Sequence, residues 1–112
     1  MAKLREAPLD RVFGALADPT RRALLERLDA EEAPLSVSDL ARPLTMSLPA
    51  VMKHLDVLEA AGLIARRKTG RTVACRLTGA PLEDATRWLG RYERFWSEGL
   101  DRLAALVEDR SP

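Results

Sequence analysis

Residues 36–76 read SVSDLARPLTMSLPAVMKHLDVLEAAGLIARRKTGRTVACR, and this stretch decides the fold. Its clearest element is a helix at about 47–61. Ser47 is a good N-cap, Pro49 lies in the first turn where a missing N–H is harmless, and Gly62 suits the left-handed residue that closes a helix. Val51, Leu55 and Leu58 recur at spacings of four and three, so one face points to a core. A shorter helix precedes it at about 36–43, capped by Ser36 or Ser38, with Leu40 and Ala41 inward and Pro43 forcing its end. Only Leu44, Thr45 and Met46 are left for the turn, so the two helices must cross steeply, as in a helix-turn-helix. After Gly62 the period changes to β, giving strands at about 63–68 and 72–77 around the turn Thr69-Gly70-Arg71. The predicted class is therefore mainly α with a small β-hairpin, a winged helix-turn-helix.

A helix-turn-helix offers the start of its second helix to the major groove. That places Ser47, Leu48, Ala50, Met52, Lys53 and His54 as candidates for base or phosphate contact. From Ala60 to Leu82 the chain has five basic residues and no acidic one. Of these, Arg66, Arg67, Lys68 and Arg71 would let the wing grip a phosphate row or a minor groove. The competing reading is a hairpin whose charges are merely solvated. For His54, the competing reading is a half-buried packing residue.

The segment LSVSDLARPLTMSLPAVMKHLDVLEAAGLIARRKTGR closely resembles the ArsR (arsenic repressor-like) family of winged-helix transcriptional repressors, and FGALADPTRRALLERL resembles that family's first two helices. The likeness spans most of residues 9–77 and is strongest at S-x-P-A-V-x-K-H-L and V-L-x-x-A-G-L-I. It implies a homodimer that blocks promoters; spacing alone gives only a winged helix. Metal-sensing members of that family carry a Cys-x-Cys pair where this chain has Ser36-Val37-Ser38. Serine hydroxyls are poor ligands for the metals that thiolates bind, so no metal and no cofactor are expected. Leu48 and Met52 stand where many members have polar residues, so any base contact there would be apolar, as to a thymine methyl.

Outward from this unit, residues 1–8, MAKLREAP, read as a mobile lead-in. Helices follow at about 9–17, with Leu9, Val12, Phe13 and Leu16 inward, and at about 19–29, opened by Asp18-Pro19, with Ala23, Leu24, Leu25 and Leu28 inward. Arg21 and Arg22 sit in the first turn of the second helix, where a cation opposes the helix dipole; a phosphate contact and simple solvation are both open. Residues 29–34 form an acidic, proline-ended loop.

Beyond the wing, one long helix is expected at about 81–109, roughly 40 Å at 1.5 Å per residue. Leu82, Ala85, Leu89, Tyr92, Trp96, Leu103 and Leu106 keep a three-four alternation and form the candidate dimerisation stripe, with a fold-back at Gly90 or Gly99 as the alternative.

The 112 residues make one domain, and 18 basic against 17 acidic residues leave a formal charge of +1, so only local clustering argues for nucleic acid. No apolar run approaches a membrane span and no secretory h-region is visible, which suggests a cytoplasmic protein. His54 is the only histidine and Cys75 the only cysteine, so neither a zinc site nor an intramolecular disulfide can form, and no catalytic constellation is visible. The reading is a sequence-specific DNA-binding regulator, a repressor bound as a homodimer to an inverted repeat of double-stranded DNA. The rival from another class is a winged-helix adaptor that binds protein through the aromatic helix.

Overall fold

The computed structural model describes residues 7–109, so most of the lead-in lies outside the described residues. The chain forms α1 (Pro8–Leu16), α2 (Pro19–Ala30), β1 (Leu35–Ser36), α3 (Val37–Ala41), α4 (Leu48–Ala60), β2 (Ile64–Thr69), β3 (Thr72–Leu77), α5 (Ala80–Gly90), a single 3-10 turn (Glu93–Phe95) and α6 (Ser97–Asp109). It is a mainly helical winged helix-turn-helix. The sheet is antiparallel in the order β1-β3-β2. Two-residue β1 pairs Leu35 with Cys75 and Ser36 with Ala74, a third strand that the local pattern does not announce.

The caps follow the residue chemistry. Asp18 Oδ1 accepts the N–H groups of Thr20 (2.8 Å) and Arg21 (3.1 Å), and Pro19 opens α2. Ser36 Oγ accepts the Asp39 N–H (3.0 Å), so the first serine of Ser36-Val37-Ser38 caps α3. At the far end of α4, Gly62 takes φ +75°. The Gly62 N–H donates to the Glu59 carbonyl (2.9 Å) and the Leu63 N–H to the Leu58 carbonyl (3.0 Å), the paired bonds of a Schellman closure. Leu58 and Leu63, which flank that closure, are both fully buried. The hairpin then turns through Gly70 (φ +62°) and Arg71, with Gly at the first central position as a type II′ turn requires.

One apolar cluster holds these elements together. Val12 and Ala15 of α1, Leu24, Leu25 and Leu28 of α2, Val37 and Leu40 of α3, and Val51, Leu55 and Leu58 of α4 meet Leu63, Ile64, Cys75 and Ala85. Leu44 and Met46 pack against it and pin the turn between α3 and α4. Ala23, expected inside, is exposed.

The C-terminal region is helical but is broken where one helix was expected. At Gly90 the bonding tightens: Arg91 N–H donates to Trp88 and Tyr92 N–H to Leu89, each three residues back. Glycine is a weak helix former, and the bend lets aromatic rings stack in return. Phe13 meets Trp88 edge-on at 5.4 Å, Trp88 meets Tyr92 at 5.0 Å, and Tyr92 stacks on Phe95 at 6.4 Å. Gly99 does not interrupt α6. Helix α6 packs chiefly on the 3-10 turn and projects from the body. The radius of gyration is accordingly 18.1 Å, against about 13 Å for a compact chain of this size.

Two consequences can be measured. A methyl group at Gly62 would meet Pro81 Cγ at 3.1 Å as well as demand a left-handed alanine, so Gly62→Ala should cost about 1–2 kcal/mol in urea unfolding. Cys75 is fully buried and burial pushes its thiol pKa up. It should stay unmodified by iodoacetamide in the native protein and react only when denaturant is added.

Candidate nucleic-acid interface

Helix α4 begins at Ser47, whose Oγ accepts the Ala50 N–H at 3.3 Å. Ser47, Leu48 and Lys53 are exposed, and Leu48 keeps 54% of its surface in water although nothing about solubility favours a leucine there. Ala50 and His54 are half-buried at the margin of this surface. Met52, also half-buried, packs against the core, so its side chain is partly withdrawn from the face the sequence assigned it to. Asp56 and Val57, exposed farther along α4, were not among the sequence candidates.

Arg21 and Arg22 have a role the sequence reading did not find. Arg21 Nε donates to the Ala15 carbonyl (2.8 Å), its Nη2 to the Gly14 carbonyl (3.1 Å), and its Nη1 lies 3.1 Å from His54 Nδ1. Arg22 Nη1 donates to the Leu16 carbonyl at 2.7 Å. The last carbonyls of a helix have no partner inside it and form its negative end. Two cations that oppose the dipole of α2 therefore complete the end of α1. Arg27 does the same for α3, donating to the carbonyls of Asp39 (3.1 Å) and Leu40 (2.9 Å). The backbone N–H bonds at Asp18, with Arg21 first among them, hold that carboxyl below its ordinary range.

The wing's cations divide by register. Arg66 pairs with Cys75 and Lys68 with Val73, whereas Arg67 pairs with Ala74 and Ala65 with Arg76. Successive side chains in a strand alternate faces, so Arg66 and Lys68 share one side of the sheet and Arg67 the other. Arg66, one of the cations expected to grip phosphate, is engaged within the chain. Its Nη2 lies 2.6 Å from Asp56 Oδ1 and 2.8 Å from Glu59 Oε1, its own N–H donates to Glu59 Oε2 at 3.2 Å, and only 15% of its side chain is exposed. It braces the wing against α4 instead of lying open. Glu59 holds the guanidinium pKa above its usual value, and Arg66 in turn holds the Glu59 carboxyl below the usual range. Arg67, Lys68 and Arg71 are exposed.

A helix-turn-helix with a braced basic hairpin beside an exposed second helix defines a winged-helix DNA-binding protein. Comparison with known proteins gives the particular family. Residues 16–67 match the family described as "Helix-turn-helix domain". The chain is 41% identical over 99 residues to the HTH-type transcriptional regulator Rv2034 of Mycobacterium tuberculosis, covering 88% of each chain. It is 30% identical over 81 residues to the transcriptional repressor SdpR of Bacillus subtilis, covering 72% of this chain and 88% of that one. An ArsR-like transcriptional regulator from Rhodococcus sp. RHA1 superposes with a TM-score of 0.70 at 37% identity over 95% of both chains. The chain belongs to the ArsR family of helix-turn-helix transcriptional regulators: it is a DNA-binding regulator and not an enzyme. Among the described residues no group of His, Cys, Asp and Glu is arranged to hold a metal ion, and no helix is long and apolar enough to cross a membrane.

The brace makes a pH prediction. A carboxyl whose folded pKa is depressed stabilises the fold above its unfolded pKa, about 4.3 for glutamate, and loses that contribution as pH falls through the folded value. Arg66→Met should therefore lower urea stability by about 1 kcal/mol at pH 7. The gap from wild type should narrow steadily in midpoints measured from pH 5 down to pH 3.

Proposed function

We propose that the chain is a repressor that binds an inverted-repeat operator as a homodimer, one α4 per half-site. The observation that carries the DNA side is a contrast among cations. Arg21, Arg22, Arg27 and Arg66 are engaged inside the chain, whereas Lys53, Arg67, Lys68 and Arg71 have no carboxylate partner among the described residues. Exposed cations on the reading helix and wing suit phosphate contact and counterion release. Ser47, Leu48, Ala50, Lys53 and His54 would lie nearest the base edges, with Arg67, Lys68 and Arg71 on the backbone.

The dimer reading rests on apolar exposure. Leu89, Tyr92, Phe95, Trp96, Leu100, Leu103, Leu106 and Val107 are all exposed along the second half of α5, the 3-10 turn and α6. A patch of that extent is unusual on a monomer. Of the expected stripe, Ala85 is buried in its own core and Leu82 half-buried against it, so those two belong to the intramolecular face of α5. The seam then consists of Leu89, Tyr92, Trp96, Leu103 and Leu106 with their neighbours. C2 symmetry would set the two reading helices about one helical turn of DNA apart. A protein adaptor would use the same apolar face, but it leaves these open cations without a role.

The test is a titration against duplex DNA from upstream of the chain's own gene, with scrambled competitor and a salt series. Specific binding with two protomers per site is expected. Lys53→Ala with Arg71→Ala should weaken every duplex and flatten log K against log[salt] by about 0.9 per phosphate contact removed. An unchanged slope would sink the phosphate assignment. Monomeric protein by light scattering, together with sequence-blind binding, would favour the adaptor.

A further inference from the structure

His54 lies on the reading helix at i+4 from Ala50, so the two share one stripe of α4. Its Nδ1 is 3.1 Å from Arg21 Nη1. A guanidinium carries N–H groups only and cannot accept a hydrogen bond. The Nδ1 atom facing it must therefore offer a lone pair, and in a neutral imidazole the proton then resides on Nε2, across the ring. Arg21 cannot swing away cheaply, because Nε and Nη2 are held by the Ala15 and Gly14 carbonyls at 2.8 and 3.1 Å. The charged groups that act on the ring are Arg21 and the Asp18 carboxylate, whose field both residues share. We propose that Arg21 is a positioning residue that holds His54 as the Nε2–H tautomer, so that the reading helix offers a single hydrogen-bond donor at this step, which bonds a purine N7.

The inference rests on the DNA reading above and narrows it. A free histidine can present either a donor or an acceptor, according to its tautomer. With Nδ1 turned to Arg21, the ring's other nitrogen is a donor, which fits the N7 acceptor that adenine and guanine both show in the major groove, as it would guanine O6 or thymine O4, and is mismatched to the cytosine amino group. One N–H makes one bond, so the expected discrimination is against cytosine at one position in each half-site, without separating adenine from guanine. Arg21 itself need not touch DNA.

The test uses the full chain, in which this is the sole histidine, so its ring signals need no assignment. Long-range ¹⁵N–¹H spectra of the wild-type protein above neutral pH should show protonated Nε2 and unprotonated Nδ1. Arg21→Met should yield a tautomer mixture. In parallel, the duplex bound specifically in the titration above is resynthesised with 7-deaza purines one at a time. One position per half-site should weaken wild type about three- to tenfold, the range of one neutral hydrogen bond, and have no effect on His54→Ala. Protonated Nδ1 in wild type, or no 7-deaza position whose effect disappears in His54→Ala, overturns the proposal while leaving specific DNA binding intact. If the protein binds no duplex specifically, the DNA reading fails, and the N7 contact fails with it. Should Arg21→Met not fold, the wild-type spectrum and the His54→Ala comparison decide alone.

Discussion

The arrangement of this molecule depends on a chain reversal at the end of the reading helix. Gly62 in its left-handed conformation returns the backbone so that Leu63 bonds back to Leu58 and the next residues start β2 alongside α4. Any other exit would carry the wing away from the helix. With this one, Arg66 arrives four residues later within reach of Asp56 and Glu59 on α4. The closure is held from the other side too, since Thr78 donates from its side chain to the Gly62 carbonyl and from its backbone to Leu63. The relative placing of the helix and wing thus follows from one backbone conformation and one ion bridge, both within residues 56–78.

The arginines show how a nearly neutral chain builds a polar face. Those at 21, 22 and 27 complete the carbonyl ends of α1 and α3, and Arg66 ties two elements together. The remaining cations of α4 and the wing are left to solvent. Composition alone cannot make this division, because an arginine that closes a helix and one that faces a phosphate look the same in a sequence.

What was legible in the sequence was what local chemistry determines: the Ser47 and Asp18 caps, the Gly62 closure, the Gly70 turn and the three-four stripe of α4. What was hidden depends on distant partners. Strand β1 is two residues long and exists only by pairing with β3, so nothing local marks it. The break after Gly90 was only the alternative reading, because Leu89, Tyr92 and Trp96 keep helical spacing straight through a 3-10 turn. Ala85 was assigned to the seam because a helix apolar on two sides does not say which side is inner. Of the candidate interface, the exposure of the start of α4 and of the wing tip was readable. The bond from Arg21 to His54 spans 33 positions, beyond any pattern of spacing.

The sheet order leaves β2 on the outside, with one side of its backbone ladder open. Open ladders invite strand addition from other chains, and consecutive charged side chains are a common defence. Exposed Arg67 and Lys68 stand on that edge beside the bridged Arg66, so two approaching copies would bring four open cations together. Self-association through the wing is therefore disfavoured at low salt and becomes easier as added salt screens these charges.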